Sequence, residues 1–139
     1  MKIFLILTFI FSTVAFSKDL TMKERADRSS LSIRLANYTT QTAKMLQASV
    51  MDDIQTLSTL ELDPKLDLPL VKNALLTLIV LEDPVDGDPS RTAVQILSQS
   101  YSKNEKIYLE ARKQIKTAKK KELAEIMKVL KSFYSEGNG

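Results

Sequence analysis

The chain reads as all-α: an elongated helical hairpin or bundle of three to four helices, following a cleaved signal peptide. Three observations carry this reading. No glycine or proline occurs from Lys18 to Asp63 or from Ser90 to Glu136, and both stretches are rich in residues that favour helix. All four prolines fall between them, in Asp63-Pro64, Leu68-Pro69, Asp83-Pro84 and Asp88-Pro89, where helices end or begin. No segment alternates apolar and polar residues for long enough to suggest a strand.

Residues 1–17 stand apart from the rest. Met1-Lys2 is a positive start, Ile3 to Phe16 is apolar except at Thr8, Ser12 and Thr13, and Ala15-Phe16-Ser17 puts small residues at the −3 and −1 positions of a cut before Lys18. That is the order of parts in a secretory signal peptide. The apolar run falls short of the roughly 20 residues that span a bilayer, so export is expected, with an uncleaved membrane anchor as the competing reading. The chain has no cysteine. A lipid-carrying residue and a disulfide framework are thereby excluded, and stability must come from helix packing or from a partner. Residues 18–136 are expected to form one helical domain and 137–139 a frayed tail.

The first helix is expected over about 21–61. Thr21 and Glu24 have the spacing of a capping box. Leu31, Leu35, Tyr38, Thr42, Leu46, Val50, Ile54, Leu57 and Leu60 recur at helical spacing on one face. Unbroken, this helix would be about 60 Å long. From Leu35 to Met51 its only charged residue is Lys44. Either that face is solvated by Ser, Thr, Asn and Gln, or another helix covers it, from this chain or from a second copy.

A second helix is expected over 69–82. Only Lys72, Asn73 and Thr77 interrupt its apolar run before Glu82, so burial between the two long helices is expected, with an exposed oligomer surface as the alternative. The third section opens with Asp88 as cap and Pro89 in the first turn. Ser102 and Glu105 have capping-box spacing, which predicts a break near Ser102 and helices over about 89–101 and 103–134.

Charge is segregated. Residues 52–88 hold nine acids against Lys65 and Lys72, whereas residues 103–131 hold ten bases against four acids. The densest run, Arg112, Lys113, Lys116, Lys119, Lys120 and Lys121, packs six cations into ten residues with no acid. On a continuous helix Arg112, Lys116, Lys119 and Lys120 would share one broad face. Such a face is either simply solvated or a surface for anionic lipid, cell-wall polymer or an acidic protein. Nucleic acid is not expected, because no aromatic residue interleaves the bases and export removes the target.

No catalytic residue is assigned. The chain has neither histidine nor cysteine, which removes the commonest general base, the thiol nucleophile and the usual transition-metal ligands. Asp52 and Asp53 point about 100° apart on a helix and do not converge, while Glu61, Asp63 and Asp67 share one loop. No Gly-rich phosphate loop is present. Glu82 to Asp88 around Gly87 fails as an EF-hand, because Pro84 falls at the third position and Ala93 at the twelfth, where the bidentate acid belongs; turn chemistry explains it. Neither cofactor nor metal is expected.

The reading that results is an exported, non-enzymatic helical binding or scaffold protein. It would act through helix-face contacts with another envelope or extracellular protein or with itself as a homo-oligomer. In general character, with no shared motif, the chain resembles periplasmic holdase chaperones, which makes a holdase using the basic face one alternative. An inhibitor or immunity protein is another.

Overall fold

The computed structural model describes residues 20–82 and 88–138; the expected signal peptide and the turn expected around Gly87 lie outside them. The described residues form helices joined by short connections, without strands. Seven helices are described: α1 Met22–Asn37, α2 Thr40–Met45, α3 Gln47–Thr59, α4 Leu68–Glu82, α5 Asp88–Lys103, α6 Glu105–Gln114 and α7 Lys120–Asn138. They pack as a bundle around α4, which touches α1, α2, α5, α6 and α7, while α5 carries α3 and α7 on its other sides.

α4 ends up at the centre because it has no polar face. Leu70, Val71, Ala74, Leu75, Leu78 and Ile79 are all buried, and fully burying each large one is worth about 1.5–3 kcal/mol. Two of its three interior polar residues serve the neighbouring helix. Thr77 Oγ1 donates to the Leu35 carbonyl at 2.9 Å, and Asn73 Nδ2 donates to the Ser32 carbonyl at 3.1 Å and to Ser32 Oγ at 2.9 Å. The C-terminal half of α1 is thus tied to α4 by hydrogen bonds as well as by packing.

The expected first helix over 21–61 is three helices. Its start is as read: Thr21 Oγ1 accepts from the Glu24 amide at 3.1 Å, and Glu24 Oε1 accepts from the Thr21 amide at 3.2 Å. The rod then breaks where sequence offered no glycine or proline. Thr39 and Thr42 form a second reciprocal cap, Thr39 Oγ1 accepting from the Thr42 amide at 3.2 Å and Thr42 Oγ1 from the Thr39 amide at 2.7 Å. Threonine hydroxyls compete with the helix ladder in this way, and Tyr38 turns to an extended conformation. At Leu46 the backbone (φ −114°, ψ 36°) leaves the helix again. These two breaks shift the stripe. Ala43 is buried in place of Thr42, and Leu46, expected in the core, is 49 % exposed.

The expected helix over 103–134 is also divided, into α6 and α7. Its start is a near miss, since the break falls at Asn104 and Ser102 caps nothing: the Ser102 hydroxyl bonds back to the Gln99 carbonyl inside α5. Asn104 Nδ2 closes the corner by donating to the Ser100 carbonyl at 2.9 Å. The rings of Tyr101 and Tyr108 meet edge to face across the same corner, centroids 5.5 Å apart, a contact worth about 0.5–1.5 kcal/mol beyond burial.

One core runs from Leu31 to Leu130 and takes residues from every helix. Leu75→Ala should therefore cost about 2–5 kcal/mol. Leu46→Ala, at the break and half exposed, should stay within about 0.5 kcal/mol of the parent. Urea titrations of the two variants check the contrast.

Candidate functional site

The six basic residues do not share one helix face. Arg112 and Lys113 occupy the last turn of α6, where cations interact favourably with the negative end of the helix dipole. The chain leaves the helix after Gln114; Lys116 lies exposed in the connection, and Thr117 Oγ1 accepts from the Lys119 amide at 3.1 Å. Lys119 is the N-cap of α7, its carbonyl accepting the Leu123 amide, and Lys120 and Lys121 form the first turn. Continuing the helix would have stacked Arg112, Lys116 and Lys120 at successive four-residue intervals, where like charges repel. The break relieves that stacking but leaves Lys120 and Lys121 at the positive end of a dipole, which is unfavourable.

The weakly charged stretch of the first section lies at the surface. Ala36, Asn37, Thr39, Gln41, Lys44 and the run from Met45 to Ser49 are exposed. Among the described residues no helix covers them. Met45 is 74 % exposed, beside Leu46, so the two breaks that reroute the stripe also place apolar side chains on an outer face with a single charge.

A third feature was not visible in the sequence. Arg28 of α1 is buried and forms an ion pair with the buried Asp67, the residue preceding α4. Arg28 Nη2 also donates to the Glu61 carbonyl at 3.0 Å, and Asp67 Oδ2 accepts from the Asp63 amide at 2.7 Å. The Asp63 carboxylate in turn accepts the Lys65 and Leu66 amides at 2.8 and 2.9 Å. These backbone bonds, that to Leu66 foremost, hold the Asp63 carboxyl below its ordinary value. Burial pushes Asp67 the other way, upward, against the pull of the Asp63 amide and Arg28. Asp67 thus holds α1 against the start of α4, and the Asp63 carboxylate shapes the turn before it.

Beside this ion pair is an open groove of about 270 Å³. One wall is the polar stripe of α1, Arg25, Arg28, Ser29 and Ser32, which the helical period places on one face. The rest of the lining is Leu66, Asp67, Pro69 and Leu70 at the start of α4, with Leu20 and Ile33. Ile33 and Leu66 are 58 % and 54 % exposed. Arg25 makes no ion pair among the described residues.

A second polar cluster joins α1 to α3. Arg34 Nε donates to both oxygens of Asp53 at 3.2 and 3.3 Å, and the Tyr38 hydroxyl donates to Asp53 Oδ2 at 2.7 Å. Burial first, and then the Asp53 carboxylate, raise Tyr38 to about 12. Asp53 is buried and Asp52 exposed, so the adjacent acids diverge as their helical spacing requires. Among the described residues no group of three or more acids is placed to hold a metal ion, and no helix is long and apolar enough to cross a membrane.

Two outcomes follow from these electrostatics. Lys120→Glu exchanges an unfavourable for a favourable charge in the first turn of α7 and should stabilise the protein by about 1 kcal/mol at low salt, an increment that thermal melts should show shrinking as salt is added. Burial also raises Tyr108. A tyrosine whose folded value lies above its unfolded 10 favours folding fully below that pH, so stability should fall as pH rises from 10 towards 12. Asp53→Asn should bring Tyr38 part of the way back towards 10, leaving the contribution of burial; phenolate absorbance during alkaline titration reads both effects. Comparison of the chain with protein-family models, with curated proteins and with solved structures finds no match.

Proposed function

We propose that this protein is an exported, non-enzymatic helical binding or scaffold protein, working through helix-face contacts with another envelope or extracellular protein or with a second copy of itself. The observation that carries the reading is the face from Ala36 to Ser49. A helix side turned to water ordinarily carries several charges; this one carries Lys44 alone and exposes Met45 and Leu46. An interface core has that composition: depleted in charge, with methionine enriched and polar side chains at its edge. The lack of histidine and cysteine supports a role without covalent chemistry. The holdase alternative has less support, because the helix break at 115–119 divides the basic face on which it depends.

Mass in solution and crosslinking in the cell, followed by identification of the attached chain, test this. A dimer or a recovered partner is the expected result, and Met45→Asp with Leu46→Asp should weaken it about a hundredfold, the effect of burying two unpaired carboxylates. A compact monomer from which crosslinking recovers nothing would sink the reading.

A further inference from the structure

We propose that the groove between α1 and the start of α4 binds a medium-chain fatty acid, its carboxylate on Arg25 and its acyl chain along Leu66, Pro69 and Leu70. This site lies away from the Ala36–Ser49 face and is independent of the function proposed for it. Three observations select the ligand. The first is the division of the lining: cationic and hydroxyl-bearing residues on α1, and Leu66, Pro69 and Leu70 from the start of α4, with the Asp67 carboxylate among them already paired to Arg28. A molecule that fits both must be apolar along one side and anionic at one point.

The second is charge. Of the two arginines in the groove, Arg28 is neutralised by Asp67, whereas Arg25 has no ion pair among the described residues, with Ser29 one turn further along the helix. That matches a monoanion. A guanidinium holds a carboxylate through two parallel hydrogen bonds, and the Ser29 hydroxyl can donate a third.

The third is volume and hydrogen bonding. A cavity of about 150 Å³ accepts a benzene ring, so about 270 Å³ scales to roughly ten carbon atoms. A helix of a partner protein is too large for that space. An extended peptide is disfavoured by the apolar wall, whose side chains offer no hydrogen bond to its amides and whose Pro69 has no N–H. A saturated chain makes no such demand. Ile33 and Leu66, each more than half exposed, would be covered by it.

The test titrates the full-length chain with decanoate below its micellar concentration, followed by calorimetry. Saturable binding at a single site is expected. Arg25→Gln and, separately, Leu66→Asp should each weaken it about tenfold or more; both positions are exposed, and thermal melts establish that the variants fold. Decanol should bind more weakly than decanoate by a similar factor, because it lacks the charge. Absence of saturable binding overturns the proposal, as does binding that both substitutions leave unchanged. Equal binding of decanol and decanoate overturns the role given to Arg25. Uptake of a short apolar peptide with a free C-terminal carboxylate, in place of decanoate, assigns the groove to a protein terminus instead.

Discussion

A helix that is apolar all round must be covered all round, and the rest of this bundle follows from covering α4. Fifteen residues make a cylinder about 22 Å long. Rods of about 60 Å over 21–61 and about 48 Å over 103–134 would overhang it and leave much of their own apolar stripe in water. Dividing each rod into shorter helices lets α1, α2, α5, α6 and α7 each lie against a different side of α4. The connections cost some backbone hydrogen bonding, and local side chains recover part of it: the Thr39–Thr42 pair, Asn104 on the Ser100 carbonyl, and Thr117 on the Lys119 amide.

This also accounts for what could be read in the residues beforehand. The helical character of the chain, the extent of α4 and the Thr21 cap depend on neighbours a few positions apart, and all were legible. The break after Gln114 was half legible, since the crowding of like charges is written in the sequence while its resolution by leaving the helix is not. The breaks at Tyr38 and Leu46 were not legible. Thr39-x-x-Thr42 is a weaker version of a capping signal that is ordinarily recognised by its glutamate, and nothing local marks Leu46, whose conformation is imposed by the packing of the helices on either side.

The polar clusters were the least legible part, for a related reason. Arg28 and Asp67 are separated by 39 positions and Arg34 and Asp53 by 19, and no periodicity links residues that far apart. In isolation Arg28 resembles any surface arginine of an amphipathic helix, and Asp67 one acid of a turn. Only their burial together distinguishes them. Removing either partner of such a pair leaves a buried charge uncompensated, at a cost of about 3–5 kcal/mol.

The connection from Ile115 to Lys119 also bears on how the chain is held together. It runs between α6, anchored by Ile107, Tyr108 and Ala111, and α7, anchored by Leu123, Ile126, Met127 and Leu130. The non-helical backbone beside exposed Lys116 suits a trypsin-like protease, yet a cut there severs a peptide bond and no buried contact. The C-terminal helix would then persist as a docked fragment, so the molecule is covalently one chain but energetically separable into two complementing pieces. The same stretch is the natural place for new termini or an inserted domain.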